Sequence, residues 1–181
     1  MDTITLKVYE FSELSEKAKD RARQDMEATF SYTWAHEALE SIRKLAQHFG
    51  GKVKDYSLDW FNGSPSWMTF DMPDDMTRKE IKALLSELGT YNKRTGRGHG
   101  DCKLTGICSD EDAIDGFRLA FRAGTSDLDT LMQAAYKTWI KACWDDCDGM
   151  YSDEGMEDMS EANEYHFFED GEIAPAGEEV K

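Results

Sequence analysis

Long apolar runs are missing from this chain of 181 residues. No segment approaches the roughly 20 consecutive apolar residues that a membrane-spanning helix needs. Residues 1–17 also lack a basic segment followed by an apolar one, so we expect no secretory signal. Four cysteines are too few for a disulfide scaffold in a chain of this length. These absences predict a cytoplasmic protein with reduced thiols and no membrane association.

Basic residues are missing from residues 142–180, which contain 14 acids and no Lys or Arg. The formal net charge of the chain is −16, and residues 101–181 carry 21 acids against 6 bases, a net of −15. Such a surface repels nucleic acid phosphates and attracts basic protein surfaces. The charge therefore predicts no direct nucleic acid binding, and a protein partner with a basic surface.

Catalytic motifs are missing as well. None of the four histidines belongs to a recognisable nucleophile or metal motif, and no serine stands in a G-x-S-x-G context. The glycine-rich stretch TGRGHGDCKLTG, residues 95–106, lacks the Lys-Ser or Lys-Thr ending of a phosphate-binding loop. We therefore predict that the chain is not an enzyme and carries no cofactor.

The hydrophobic pattern predicts an α+β fold in a single domain, 1–181. Alternation over residues 3–10 predicts an N-terminal strand, and two alternating runs near 53–72, around the turn FNGSPS, predict a hairpin. A short strand with a turn at Gly171 precedes an expected frayed tail, 174–181. About five helices should cover a small antiparallel sheet formed by the N-terminal strand and the hairpin. They are placed near 12–30, 34–49, 110–122 and 127–148, with one more after Pro73-Asp74-Asp75 that stops at Gly89.

Cysteine spacing leaves one alternative open. Cys143 and Cys147 share a face of the last predicted helix, while Cys102 and Cys108 lie in the glycine-rich stretch near His99. Four converging thiolates can hold a structural zinc, which would suit a zinc-stabilised or metal-dependent enzyme of nucleotide metabolism. Both thiols of the helix also continue its apolar stripe, where core residues belong. Core thiols without metal are therefore the prediction.

The stretch CWDDCDGMYSDEGMED, residues 143–158, is the densest in acids. It does not fit a calcium loop, because Trp144 and Gly155 stand where the first and last ligands belong. Acid runs are commonly solvated faces, but aromatic residues and methionine beside carboxylates suit a protein-binding surface. We therefore weigh a solvated face against a partner-binding surface. The residues predicted to bind the partner are Asp145, Asp146, Asp148, Tyr151, Asp153, Glu154, Glu157, Asp158, Glu161 and Phe168.

The N-terminal segment VYEFSELSEKAKDRA, Val8–Ala22, places a strand before an E-L-S-x-x-A-K-x-x-A helix start. This segment resembles the start of a family of small accessory proteins from tailed phages, often labelled antitoxin of a toxin–antitoxin stability system. The strand YSLDW, residues 56–60, and the ending NEY with FEDG, residues 163–165 and 168–171, are similar too. The resemblance implies a phage origin and an interaction role, and it carries no functional residues with it.

Charge and resemblance together lead to a functional expectation. We expect a phage-encoded protein of the host cytoplasm that binds and inhibits a host toxin or a nucleic-acid-handling defence protein, such as a CRISPR effector or a restriction enzyme. Its acidic half, 101–181, would occlude a basic surface. A dense carboxylate surface can also imitate the phosphate spacing of duplex DNA, so nucleic acid mimicry is one mechanism for such inhibition.

Overall fold

Six α-helices and two small hairpins form the part of the chain that the structure, a computed structural model, describes. That part comprises residues 7–29, 32–61, 63–88, 91–92, 97–98, 104–106 and 109–175. The helices are α1 (Glu16–Thr29), α2 (Ala35–His48), α3 (Arg78–Glu87), α4 (Ser109–Ala123), α5 (Leu128–Met150) and α6 (Asp153–Ala162). The strands are β1 (Lys52–Ser57), β2 (Trp67–Asp71), β3 (Tyr91–Asn92) and β4 (Arg97–Gly98). A 3-10 turn, Phe11–Glu13, precedes α1.

The chain divides into two compact units, and each is described by itself. Unit 1 consists of Met1–Tyr32 and Asp146–Lys181, so that both ends of the sequence contribute to it. Unit 2 is the continuous segment Thr33–Asp145. The single domain expected over 1–181 stays a prediction.

Unit 2 is built from helices and the antiparallel hairpin β1–β2. Strand β2 alternates as a half-buried strand should, with Met68 and Phe70 buried and their neighbours exposed. Helix α2 packs on α4, and the rings of Phe49 and Phe117 stack there with centroids 4.3 Å apart. A Cβ on Gly116 would lie 2.6 Å from the carbonyl oxygen of Ala134. The glycine thus permits a close backbone approach of α4 to α5.

Unit 1 joins the N-terminal segment to the end of the chain. Helix α1 buries Ala18, Ala22 and Met26 on one face. The fully buried ring of Phe167 meets Phe11 edge to face, with centroids 5.9 Å apart. The backbone of Phe167 forms antiparallel bridges with both Tyr9 and Ile173. Phe167 therefore connects the first segment of unit 1 with its last.

The structure confirms the α+β class, the hairpin near 53–72 and the turn at Gly171, whose φ is 91°. The association of the N-terminal strand with that hairpin was wrong. Tyr9 instead pairs with Phe167, while residues 3–6 of the expected strand lie outside the described residues. Of the expected frayed tail, residues 176–181 also lie outside them.

The third helix agrees with expectation, because it runs over Arg78–Glu87. It follows Thr77, whose hydroxyl accepts from the Glu80 N–H in a capping box. Two other elements differ from expectation. The stretch 90–109, expected to be a loop, contains the paired strands β3 and β4. Helix α6 was not predicted at all. No helix among the described residues is both long and apolar enough to cross a membrane.

Candidate functional site

Almost all of the net negative charge belongs to unit 1. This unit contains 20 acids against 6 bases, a net of −14, whereas unit 2 contains 17 acids against 15 bases, a net of −2. In the sequence, the excess of acids over bases lies in residues 101–181. Of these residues, only those from Asp146 onward belong to unit 1. Electrostatic attraction of a basic partner would therefore be a property of unit 1.

Part of this charge is neutralised inside unit 1, because bases of α1 pair with acids of the C-terminal segment. The pairs are Lys19–Asp153 at 3.2 Å, Arg23–Asp153, Arg21–Asp170, and Arg21–Glu172 at 3.1 Å. The predicted partner-binding residue Asp153 thus has two intramolecular cations. It holds the start of α6 on α1, and we assign it to the stability of unit 1.

The ion pairs of Asp153 predict an acid-sensitive unit. Its bonds from Lys19, then from Arg23, hold the pKa of that carboxyl below its usual range. A depressed pKa in the folded state means that the unfolded state binds the proton more tightly, so this stabilisation is present above about pH 4 and is lost as pH falls through the folded pKa. We expect the urea midpoint to fall between pH 5 and pH 3, and Asp153→Asn to lessen that fall.

The matched control for this measurement is Asp158→Asn, which removes an exposed acid of the same helix with no ion-pair or hydrogen-bond partner among the described residues. The control should keep the wild-type dependence of the urea midpoint on pH. An equal dependence in wild type and Asp153→Asn would contradict a stabilising role for these pairs.

The three acids at the end of α5 differ in their surroundings. Asp145 belongs to unit 2 and pairs with Lys141 one turn earlier, at 2.5 Å. Asp146 accepts a hydrogen bond from the hydroxyl of Tyr32, at 3.1 Å. Asp148 is exposed, and its carboxylate has no partner within the described part of the chain. Of the three, Asp148 is the one whose charge is available to a partner.

Three apolar residues in or near the acid-rich stretch, Tyr151, Met156 and Phe167, belong to the core of unit 1. Tyr151 is only 7% exposed, and Met156 and Phe167 are fully buried. Tyr151 is therefore not available as an anchor for a partner, contrary to our expectation, and we exclude it from the binding surface. Phe168 is half-buried, and its role as an anchor stays a prediction. The burial of Tyr151, Met156 and Phe167 in unit 1 explains why apolar residues occur among these acids.

Helix α6 displays the acids that remain free. The hydroxyl of Ser152 caps it by accepting from the Gly155 N–H, at 3.2 Å, and the acids of its first turn lie at the positive end of the helix dipole. Four of its acids are exposed, and within the described ranges none of their carboxylates has an ion-pair or hydrogen-bond partner. These free acids are Glu154, Glu157, Asp158 and Glu161.

A cleft of about 490 Å³ lies beside α6, within unit 1. Residues 157, 160, 161 and 164 line one wall, and their spacing of three and four places them on one face of the helix and its end. Glu10 and two residues of the 3-10 turn that follows it, Phe11 and Ser12, also line the cleft. Four carboxylates therefore border the cleft, those of Glu10, Glu157, Glu161 and Glu164.

The end of α6 turns Glu164 into this wall. Glu164 has φ of 55°, in the left-handed region that costs an L-residue roughly 1–2 kcal/mol. The following N–H, of Tyr165, donates to the carbonyl oxygen of Ser160, at 2.8 Å, which closes the helix end. Glu164 lines the cleft in this otherwise unfavourable conformation.

Ser160 lies in the same wall with an unsatisfied hydroxyl. The residue is 5% exposed, and its Oγ has no hydrogen-bond partner among the described residues. Leaving a buried hydroxyl unpaired costs roughly 1–3 kcal/mol. A ligand in the cleft that forms a hydrogen bond with this hydroxyl would recover this energy.

The arrangement does not resemble a metal centre. Within the described ranges, no group of three or more His, Cys, Asp or Glu side chains is placed to hold a metal ion. The carboxylates around the cleft are thus too dispersed to share one ion. They suit an extended cation that carries several N–H donors.

The two thiols of α5 lie in the core, as predicted. Cys143 and Cys147 are both buried. Burial, followed by the nearby charges of Asp146 and Asp148, raises the pKa of the Cys147 thiol to about 11. A thiol with such a pKa is protonated at neutral pH. Residues 99, 102 and 108, which completed the hypothetical zinc site, lie outside the described residues.

Sequence reasoning found only half of the acids around the cleft. Glu157 and Glu161 were among the predicted binding residues, whereas Glu10, Ser160 and Glu164 were not. Glu10 comes from the other end of the chain, so no local pattern could associate it with α6. Ser160 was not predicted because α6 itself was not predicted. The capping residue Ser152 and the acids after it are a sequence signal for the start of that helix.

Comparisons with protein-family models, with curated proteins and with solved structures find no match to this chain. The resemblance of Val8–Ala22 to the phage antitoxin family therefore has no support from these comparisons, and it stays a prediction.

Proposed function

We propose that this chain is a binding protein that occupies a basic surface of a partner protein through the acidic face of unit 1. The observation that carries the proposal is the concentration of charge: unit 1 has a net charge of −14, and the acids of α6 other than Asp153 have no intramolecular partner within the described part. Complementary charge accelerates association and selects against partners of the same sign. Free carboxylates are the groups that can act in this way.

A nucleic-acid-handling protein is the partner class that fits best. Such proteins concentrate Lys and Arg where they contact phosphates, and a carboxylate-rich face is complementary to that surface. Binding there would compete with nucleic acid, so the proposed effect on the partner is inhibition by occlusion. A phage inhibitor of a host toxin or defence protein, acting in the host cytoplasm, is the specific form of this proposal that the N-terminal resemblance favours.

The test compares two variants that remove the same amount of charge. The free-acid variant replaces exposed acids of unit 1: Asp148→Asn, Glu154→Gln, Glu157→Gln, Asp158→Asn and Glu161→Gln. The control variant replaces exposed acids of unit 2: Glu37→Gln, Asp74→Asn, Asp75→Asn, Glu87→Gln and Glu111→Gln. Asp153 is left intact in both because its ion pairs stabilise unit 1.

Proteins captured from a bacterial lysate by the wild type are identified by mass spectrometry, and their affinity is then measured with all three proteins. We expect the free-acid variant to bind at least about tenfold more weakly and the control variant to bind nearly as the wild type does, since close charge pairs at interfaces contribute on the order of 1.5 kcal/mol or more each. Wild-type affinity should fall as salt rises from about 0.05 to 0.5 M.

A second measurement examines the proposed effect. Adding the wild type should displace duplex DNA or RNA from the captured partner, and the free-acid variant should not. Equal affinities of the two variants for the partner, or binding that does not depend on salt, would contradict the proposal and leave the acids of unit 1 as a solvated face.

A further inference from the structure

We propose that the cleft of unit 1 receives an arginine side chain of the partner. This inference rests on the proposed function and deepens it, because it names the group that the acidic face recognises. The cleft volume of about 490 Å³ lies within the range of pockets that hold small ligands.

The distribution of the carboxylates selects the chemistry of the cation. The lining acids come from two segments: Glu10 precedes the 3-10 turn, and Glu157, Glu161 and Glu164 belong to α6 and its end. No three acidic, His or Cys groups in the described part converge on a metal ion, so a compact divalent cation is not matched. A guanidinium presents five N–H donors in a planar fork and can bond to several separated oxygens at once. A lysine ammonium is a compact point charge and reaches fewer of them.

Ser160 is the independent observation that points to a ligand. Ser160 lines the cleft, is at least nine-tenths buried, and has an Oγ without a partner among the described residues. A serine hydroxyl can accept a hydrogen bond as well as donate one, and because the other polar groups named around the cleft are carboxylates, a guanidinium N–H is the partner that suits both the hydroxyl and its surroundings. Tyr165, half-buried in the same wall, offers an apolar surface for the methylene stem of the arginine.

The probes are three acetylated, amidated heptapeptides of Gly and Ser that differ at two positions: one carries two Arg, one two Lys, and one two citrulline residues, which keep the shape of Arg without its charge. Binding is followed by NMR titration of the ¹⁵N-labelled protein. We expect the Arg peptide to bind severalfold more tightly than the Lys peptide, and the citrulline peptide to give no measurable binding. The largest shifts should fall on the amides of residues 160–166.

Two variants with equal loss of charge separate the cleft from the rest of the acidic face. The cleft variant carries Glu157→Gln, Glu161→Gln and Glu164→Gln, and the rim variant carries Asp148→Asn, Glu154→Gln and Asp158→Asn. Affinity for the Arg peptide should fall at least about tenfold in the cleft variant, as expected when a charge-assisted hydrogen bond is lost. The rim variant should stay within about threefold of wild type, because none of its three acids lines the cleft.

Ser160→Ala adds a readout that a purely structural role would not produce. Removing an unpaired buried hydroxyl should leave the melting temperature unchanged or higher, while the affinity for the Arg peptide falls severalfold. Lower stability with unchanged peptide affinity would overturn the role given to Ser160.

Equal affinities of the cleft and rim variants for the Arg peptide would overturn the cleft as the binding site. Equal affinities of the wild type for the Arg and Lys peptides would overturn the choice of arginine. Either result leaves the proposed function standing as long as partner capture still depends on the acids of unit 1. Loss of that dependence in the lysate experiment, with Arg-peptide binding intact, would overturn the proposed function instead.

Discussion

Gly171→Ala is expected to lower the free energy of unfolding by about 2–5 kcal/mol, from backbone strain of roughly 1–2 kcal/mol and overpacking of roughly 1–3 kcal/mol. Gly171 has φ of 91°, a conformation that L-residues rarely adopt. A Cβ at this position would lie 2.1 Å from the carbonyl oxygen of Ala18 and 2.8 Å from its carbonyl carbon. Both atoms belong to the backbone of α1, so they cannot move aside as a flexible side chain would. Urea denaturation followed by circular dichroism measures the change.

Two other glycines separate the causes of this effect. Gly124 has φ of 119° but no atom within 4 Å of a built Cβ, so Gly124→Ala should show the strain alone. Gly149 lies in α5 with no positive φ and no such contact. Gly149→Ala should be neutral or stabilising by up to about 1 kcal/mol. The loss of stability should therefore be largest at residue 171 and smallest at residue 149. Equal losses at all three positions would show that the close contact with α1 is not the reason for a glycine at residue 171.

Phe167→Ala is expected to cost about 3–5 kcal/mol, the usual range for truncating a fully buried phenylalanine. The ring is completely buried and meets Phe11, which lines the cleft. The backbone bridges of Phe167 to Tyr9 and Ile173 remain possible in the variant, so the loss should come from the cavity. Binding of the Arg peptide should weaken together with stability, because Phe11 loses its support. Chemical denaturation and the peptide titration measure the two effects.

The neighbouring residue provides the control. Phe168 is half-buried, and Phe168→Ala should cost clearly less stability than Phe167→Ala. If Phe168 is also an anchor for the partner, as the sequence predicted, its truncation should raise the dissociation rate of the captured partner. A cost at Phe168 equal to that at Phe167 would contradict the packing described for unit 1.

The elements of the fold that could be predicted are those with a clear local periodicity in the sequence. Helix α5 repeats apolar residues at helical spacing over 23 residues, and the stripe correctly placed Cys143 and Cys147 in the core. The hairpin also combines two local signals, alternation and a turn sequence. Helix α6 was missed because it spans only 10 residues and buries just two of them. A pattern so short was interpreted as part of a charged surface.

Pairings between distant segments could not be predicted in the same way. Alternation around Tyr9 indicates an extended segment, but it does not say which segment pairs with it, and Phe167 was the partner. The sign of the charge was evident from composition. Composition could not show that Asp153 is paired with α1 whereas Glu157 is free, because this depends on tertiary contacts. The cleft was missed for the same reason, since its walls come from opposite ends of the chain.

Unit 1 is formed by two segments that are far apart in the sequence, Met1–Tyr32 and Asp146–Lys181, and this has a consequence for synthesis on the ribosome. Lys19, Arg21 and Arg23 each have an acid of α1 nearby, but their C-terminal partners are translated more than a hundred residues later. Contacts between such distant segments form late, because a long loop must close before they are made. Until then these bases have only the acids of α1 itself to pair with. The acidic face and its cleft come into being only when the final segment has left the exit tunnel.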